Sequence, residues 1–216
     1  MRPKIATLLS DIYPDLRSNM KIVGNIPLQK IFKHSSIFWT HNFLEDSERS
    51  KKNEGEAEMA ISLALLLVQY GCNPKAITII STYLGQHGLM MRKLDAARIK
   101  HPTLLPSKDQ SFVTNTVDMY QGDENEVVIV SLVRGNENRQ VGFLKELPRR
   151  CVAQSRAKSC VIFLGNEGTL MNAPCWARLL ESMRKNDESL VSDTLPIHCH
   201  LSLIHISEPT RRYAIS

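Results

Sequence analysis

The feature that most constrains this fold is a short polar loop leading directly into an apolar run. The loop is the QGDE sequence at residues 121–124, and the run extends from Val127 to Val133 with only Ser131 interrupting it. Such a run is typical of a strand buried on both faces, and the glycine in the loop lets backbone approach a ligand closely. Because ligands of parallel α/β sheets lie where strands release loops at their carboxyl ends, we expect residues 116–124 to form a site.

The rest of the chain alternates apolar strand-like segments with longer helical ones. Helices are predicted at residues 56–70, 86–100, 148–158 and 173–184, and further strands at 37–40, 76–81, 111–114 and 160–164. This alternation predicts an α/β fold with a doubly wound, mainly parallel sheet and helices on both faces. A chain of 216 residues is long enough for one such core.

Composition narrows the class of protein without naming an activity. The hydrophobic fraction of 43% and charged fraction of 23% are ordinary for a globular protein. No apolar run has membrane-spanning length and the first twenty residues lack a signal-peptide pattern, so we expect an intracellular chain, cytoplasmic or nuclear. A net charge of +5 permits a polyanionic partner.

Two segments resemble motifs of one enzyme family. TVDMYQGDE at residues 116–124 resembles motif V of the Upf-type superfamily 1 helicases, and VAQSRAK at residues 152–158 resembles their motif VI. The resemblance is greatest to the NFX-type zinc-finger-containing branch and covers residues 1–185. It implies that residues 1–185 form the second RecA-like domain of a helicase, with the P-loop NTPase fold. Arg150 and Cys151 depart from the better-known members.

The resemblance implies a nucleotide site at these two motifs. Arg156 would be the catalytic arginine finger that reaches the γ-phosphate of ATP. Gln121, Gly122 and Glu124 would contact the nucleotide, with Glu124 accepting hydrogen bonds from ribose hydroxyls. The structural alternative for Arg156 is a helix arginine paired to an acidic neighbour. The alternative for Glu124 is a solvated turn residue.

The nucleotide site is incomplete within this sequence, which contains no GxxxxGK[ST] loop. ATP and Mg²⁺ would therefore be cradled by a first RecA-like domain of the same protein. We expect the isolated chain to be inactive, and Met1 to be an internal methionine.

A second set of residues is implied to contact single-stranded nucleic acid. STYLGQ, residues 81–86, resembles the family segment T-P-Y-x-x-Q, so Ser81, Tyr83 and Gln86 would contact the strand, as would Thr116. Thr82 replaces the proline, which removes a source of loop rigidity. Helix capping and packing are the alternative roles for Tyr83 and Gln86. RNA is preferred to DNA on overall resemblance alone.

The segment before the first long helix also matches the family. SKKNEGEA, residues 50–57, resembles the pattern S-x-x-N-x-x-E-A. The basic residues Arg92, Lys93, Arg98 and Lys100 on the next helix form either a solvated face or a nucleic-acid track, and we favour the former.

Residues 186–216 are not assigned to the helicase domain. Residues 186–200 are expected to be a linker toward a missing zinc-finger region, with Cys199 as a candidate first zinc ligand. One cysteine cannot hold zinc, so no metal site is complete within the chain. Residues 201–216 begin with LSLIHISEPTR, which resembles a translated sequencing adapter, and we expect this tail to be non-native.

Two functions from different classes remain open. The first is a fragment of an ATP-dependent RNA helicase, with a DNA helicase of the same superfamily as its near variant. The second is a non-catalytic RNA-binding or scaffold module of a small-RNA silencing or heterochromatin complex, for which small-RNA pathway proteins would be partners.

Overall fold

The fold is that of a computed structural model, and its central feature is a six-stranded sheet. The structure describes residues 5–6, 8–9, 32–46, 50–105, 107–145, 155–187, 189–198 and 203–207. The strands are β1 (Ser36–Thr40), β2 (Ile77–Ser81), β3 (Val113–Thr116), β4 (Asn125–Ser131), β5 (Ala157–Gly165) and β6 (Ser189–Ser192). Their order is β3-β2-β4-β5-β1-β6, and every neighbouring pair is parallel. The predicted doubly wound α/β fold is confirmed.

Four helices accompany the sheet in the described part of the chain: α1 (Glu54–Gln69), α2 (Leu84–Lys100), α3 (Glu167–Leu170) and α4 (Pro174–Arg184). Helix α1 begins at Asn53, whose side chain accepts a hydrogen bond from the N–H of Glu56. It ends before Gly71, whose φ of +88° is the left-handed conformation that glycine adopts most readily. The predicted helix stop is therefore correct.

The two faces of the sheet carry two separate hydrophobic clusters, which explains why residues 127–130 of β4 are all apolar. Val127 and Ile129 pack in the cluster that contains α1 and α2. Val128 and Val130 pack with Trp176 of α4 in the other cluster. Successive strand residues point to opposite faces, so a strand covered on both sides needs apolar residues at every position.

The connection from β3 to β4 differs from the prediction in one respect. Thr116 ends β3 beside Ser81, at the carboxyl edge of the sheet, whereas residues 121–124 precede β4 at the amino edge. Strands β3 and β4 do not pair with each other but lie on either side of β2. Because β4 is parallel to β3, the connection must return across the full height of the sheet. The single carboxyl-edge site predicted for residues 116–124 is therefore wrong, since the segment contributes to both edges.

The C-terminal bound of the helix predicted at residues 148–158 is wrong. Ala157 and Lys158 are the first residues of β5, and Ala157 is paired with Asn125 of β4. Ala157 is buried, and its pairing with β4 outweighs the helical tendency of the AQSRAK sequence. Residues 146–154, which include Arg150 and Cys151, lie outside the described residues.

The segment after α4 contains ordered strands. β6 pairs with β1, so the first part of the predicted linker at 186–200 belongs to the sheet. Thr194–His198 (β7) and Leu203–Ser207 (β8) form an antiparallel pair. The origin of residues 201–216 stays a prediction. Among the described residues, no helix has both the length and the apolar character needed to cross a membrane.

Candidate nucleotide and nucleic-acid sites

The amino edge of the sheet brings motif V and motif VI together. The N–H of Asn125 donates to the backbone oxygen of Arg156 at 3.0 Å. The Nη1 atom of Arg156 donates to the backbone oxygen of Asp123 at 3.2 Å. Gln121, Gly122 and Glu124 are all exposed around this contact. The four residues predicted to meet the nucleotide are therefore grouped at one edge.

Asn125 anchors this group, and sequence reasoning missed it. Its Nδ2 atom donates at 2.9 Å both to the backbone oxygen of Lys75 and to the Thr78 hydroxyl. That hydroxyl lies 3.2 Å from the hydroxyl of Tyr120, which is buried under the loop. The register of β4 against β5 shifts between Asn125 and Val127, as in a bulge that re-aims the residues beside it. The available signal was an uncharged amide, Asn125, at the first position of the strand.

The residues at the amino edge fit an anionic, hydroxyl-bearing ligand. Gly122 has a φ of +96°, and a Cβ built there would meet no atom within 4 Å, so the backbone is open to approach. Glu124 is paired with Lys158 (Nζ–Oε1 3.0 Å) and remains half exposed. Arg156 and Lys158 together provide positive charge, while Gln121 and Glu124 provide hydrogen-bonding groups. No cluster of metal-ligating side chains occurs among the described residues.

At the carboxyl edge, Ser81 and Thr116 are buried and serve their own loops. The Ser81 hydroxyl donates to the backbone oxygens of Tyr83 and Asn115, each at 3.3 Å. The Thr116 hydroxyl accepts from the N–H of Met119 at 3.2 Å. Both hydroxyls therefore stabilise the backbone conformation of the loops that follow β2 and β3.

Tyr83 lines an open cleft of about 620 Å³ at this edge. Lys51, Asp118, Arg134 and Phe143 also line it. The Tyr83 ring packs against that of Phe143 with centroids 4.1 Å apart. The cleft thus combines an aromatic wall with the cation of Lys51, a composition suited to a nucleic-acid strand.

Thr82 fixes the Tyr83 loop in place of the family's proline. Its N–H donates to the backbone oxygen of Ser131 at 3.2 Å, and its hydroxyl donates to the backbone oxygen of Leu132 at 3.1 Å. These bonds tie the loop to the end of β4. The rigidity that a proline would supply is replaced by hydrogen bonds to the neighbouring strand.

Gln86 is fully buried, and its amide bonds inside the domain. Its Oε1 atom accepts from the N–H of Asn53 at 2.8 Å. Its Nε2 atom donates at 3.1 Å to the backbone oxygen of Asn53 and to the Ser131 hydroxyl. In this arrangement Gln86 joins α1 and β4 beneath the Tyr83 loop and offers no surface to the cleft.

One of the basic residues of α2 is used in packing between helices. The Nζ atom of Lys93 lies 2.6 Å from a Glu54 carboxylate oxygen and 2.8 Å from one of Glu58. Burial acts to lower the pKa of Lys93, but the two carboxylates outweigh it and raise the pKa above its usual value. This supports the interpretation of the basic run as an ordinary helix face. Cys199 lies outside the described residues.

The six-stranded parallel sheet with helices on both faces defines an α/β domain of the RecA-like class. Residues 17–168 match an AAA domain family, and the chain belongs to this family, the C-terminal region of Upf-type superfamily 1 helicases.

Several curated relatives are named as helicases. The chain is 35% identical to mouse NFX1-type zinc finger-containing protein 1 over 87% of its length, and 33% identical to the fission yeast helicase required for RNAi-mediated heterochromatin assembly 1 over 97%. It is 35% identical to the bovine DNA replication ATP-dependent helicase/nuclease DNA2 over 70%. The matches span 10%, 21% and 13% of those proteins, so the chain corresponds to a small part of each.

Proposed function

We propose that this chain is the second motor domain of an ATP-dependent helicase that acts on single-stranded RNA. The observation that supports the nucleotide role best is the contact of Arg156 with the exposed loop at residues 121–124. A cation beside an open glycine loop is what the far wall of a nucleotide cleft requires. ATP and Mg²⁺ would be held mainly by a first RecA-like domain of the same protein.

Each amino-edge residue has a definite part in this proposal. Arg156 would act as the arginine finger by neutralising charge that develops on the γ-phosphate, an effect of about 10³ to 10⁵ in rate. Gln121 and the backbone at Gly122 would contact the nucleotide. Glu124 would accept the ribose hydroxyls after its pair with Lys158 opens. Asn125 would hold the loop at the right distance from Arg156.

At the carboxyl edge, the proposal places the nucleic-acid strand in the cleft beside Tyr83. Lys51 would contact phosphate, and the Tyr83–Phe143 pair would form the wall. Ser81, Thr116 and Gln86 would support the cleft indirectly by holding its loops in place, because their polar groups form hydrogen bonds within the domain. Contacts to phosphates carry no base sequence, so binding should weaken as salt rises.

The choice of RNA rests on the relatives. The fission yeast relative, whose name refers to RNAi, matches 97% of the chain, whereas the DNA replication helicase matches 70%. By the same similarity, proteins of small-RNA pathways are the proposed partners. A competition between ribo- and deoxyribo-oligonucleotides of equal length would test this choice, and equal or tighter binding of DNA would contradict it.

The catalytic assignment is tested in a protein that carries this domain together with the proposed first RecA-like domain. RNA-stimulated ATPase should fall by about 10³ or more in Arg156→Lys, because a lysine cannot reproduce the planar guanidinium fork. The matched control is Arg178→Lys, at an exposed position on α4, which should retain full activity. Normal turnover in Arg156→Lys would reject the finger. RNA binding by the protein without any ATPase would favour the scaffold interpretation.

A further inference from the structure

A strained turn follows β4 at the carboxyl edge. Val133 has a φ of 70°, which is rare for any residue except glycine and especially unfavourable for a β-branched one. The N–H of Arg134 donates to the backbone oxygen of Leu132 at 2.7 Å, so Val133 is the central residue of a tight three-residue turn. Such a conformation persists only where the surroundings enforce it.

Two buried side chains from the start of α1 enforce this turn. A carboxylate oxygen of Glu56 accepts the N–H of Val133 at 2.8 Å, and the Nδ2 atom of Asn53 donates to the Val133 backbone oxygen at 3.1 Å. Neither Glu56 nor Asn53 has any exposed surface. Both polar groups of the Val133 backbone are therefore fixed by residues of the SKKNEGEA segment.

The turn sends the side chain of Arg134 into the wall of the cleft. Its Nε atom donates to the backbone oxygen of Gln140 at 2.9 Å, and Nη2 bonds to the same oxygen. Its Nη1 atom lies 3.5 Å from the Tyr83 hydroxyl. A Cβ built on Gly142 would meet both Nη1 of Arg134 and the Tyr83 hydroxyl at 3.2 Å, so the turn before Phe143 packs directly on this pair.

The charge of Arg134 is already balanced inside the domain. Its Nε atom lies 3.2 Å from a carboxylate oxygen of Glu45, and only 9% of the Arg134 side chain is exposed. The same Glu45 oxygen accepts the N–H of Gly135 at 3.1 Å. An arginine with this little exposure and these partners organises its surroundings and does not present a free cation to a strand.

We infer that Arg134 is a positioning residue for the nucleic-acid cleft. It keeps Tyr83 and the turn at Gly142 in fixed positions relative to each other. The direction of its own side chain is set by the turn at Val133, whose backbone is bound by Asn53 and Glu56. The inference rests on the proposed function, because the cleft must bind a strand for its wall to matter. The interpretation it opposes is that Arg134 contacts a phosphate directly.

The two roles of Arg134 predict opposite changes in nucleic-acid affinity when the Glu45 carboxylate is neutralised. The substitution is made in a Lys51→Ala background, because Lys51 (Nζ–Oε1 3.8 Å from Glu45) is itself proposed to contact phosphate and would also lose its carboxylate partner. In that background, a direct phosphate contact by Arg134 predicts that Glu45→Gln binds more tightly, because Arg134 loses its compensating carboxylate. A positioning role predicts weaker binding by about tenfold, because the amide no longer anchors Arg134. The matched control for the lost negative charge is Glu58→Gln, at an exposed position on α1.

The probe is a 12-nucleotide oligouridylate titrated into the 216-residue chain, and binding is followed by amide chemical-shift changes in NMR, which detect weak binding.

A second variant, Arg134→Lys, keeps the positive charge and loses the planar guanidinium group that bonds Gln140 and Tyr83. We expect its affinity to fall by about tenfold while the slope of log K against log salt stays that of the unsubstituted chain, because the number of phosphates contacted is unchanged. Arg92→Lys, at an exposed position on α2, is the control.

The outcomes distinguish failure of the inference from failure of the proposed function. If the unsubstituted chain binds and Glu45→Gln tightens binding in the Lys51→Ala background, or Arg134→Lys binds as well as the unsubstituted chain, the positioning role is overturned and the strand groove stands. If the unsubstituted chain shows no salt-sensitive shifts at millimolar oligonucleotide, the proposed groove is overturned, and the inference with it.

Discussion

The carboxylate of Glu56 accepts a hydrogen bond from the N–H of Val133, 77 residues further along the chain. The same carboxylate accepts the Ser131 hydroxyl and lies 2.7 Å from Nε2 of His41. The Nδ1 atom of His41 accepts the N–H of Phe43 at 3.2 Å, so Nε2 is the ring nitrogen that donates its N–H to Glu56. A fully buried carboxylate thus joins the first long helix to the end of the central strand.

Removing this carboxylate should severely destabilise the domain. Glu56→Ala leaves the donors of His41, Ser131 and Val133 without their acceptor, and we expect a loss of about 3–5 kcal/mol in the free energy of unfolding. Urea denaturation followed by circular dichroism measures it. Glu58→Ala, two residues along the same helix, removes a half-exposed pair with Lys93 and should cost less than about 1 kcal/mol. Equal losses in the two variants would contradict the role assigned to Glu56.

Glycine at position 133 should be tolerated far better than glycine at position 127. Both valines are fully buried, so each substitution loses about 2 kcal/mol of burial. At Val133 the glycine also relieves backbone strain of about 1–3 kcal/mol. Glycine also costs about 0.5–1 kcal/mol of backbone entropy at either position. We therefore expect Val133→Gly to change the free energy of unfolding by less than about 2 kcal/mol, and Val127→Gly to lower it by about 3 kcal/mol. A larger loss at 133 would mean that the turn is unstrained.

Two glycines in α2 should respond to alanine with opposite signs. A Cβ at Gly88 would meet only a flexible arginine atom at 3.9 Å, so Gly88→Ala should stabilise the helix by about 0.5–1 kcal/mol. A Cβ at Gly85 would lie 2.4 Å from the backbone oxygen of Ser50, whose hydroxyl accepts the N–H of Gly85 at 2.7 Å.

Gly85→Ala must therefore push residues 50–51 away from the start of α2. We expect it to destabilise the domain by about 1–3 kcal/mol despite the better helix propensity of alanine. Thermal unfolding of the two variants side by side provides the measurement. A higher melting temperature for Gly85→Ala would refute the close approach of Ser50.

The thiol of Cys72 should react slowly with alkylating agents. Burial, with a smaller contribution from the charge of Glu126, raises the pKa of Cys72 from 9.0 to about 11. The reactive thiolate is then about 100-fold less abundant at pH 8 than in the unfolded chain. Iodoacetamide labelling followed by peptide mass spectrometry should show slow modification at Cys72 in the native protein, and fast modification in urea. Fast native labelling would show that the thiol is not held in this environment.

Local sequence pattern was sufficient for most of the sheet and helices. The apolar run at Val127–Val133, broken only by Ser131, predicted β4, and Gly71 predicted the end of α1. The helix expected to reach Lys158 was wrong, because pairing of Ala157 with Asn125 outweighs local preference. The position of the loop at residues 121–124 required knowing that β3 and β4 are parallel and separated by β2.

The buried polar network could not be predicted from the sequence. Asn53 and Glu56 have the N-cap and third-position spacing at which the acidic side chain usually returns to the cap N–H. In this domain Gln86 accepts that N–H, which leaves the Glu56 carboxylate for Val133. The exchange depends on contacts between residues more than thirty positions apart, so no local motif reveals it.

The crossing connection between β3 and β4 has a mechanical consequence. Thr116 and Glu124 stand at opposite edges of a sheet whose central strands are buried and paired in fixed register. Sliding one strand past another would break a ladder of hydrogen bonds and repack both faces, so the spacing between the two edges cannot change appreciably. This domain therefore behaves as a stiff spacer. Under the proposed function, a movement that couples a nucleotide at one edge to a nucleic-acid strand at the other would have to displace the whole sheet as one body.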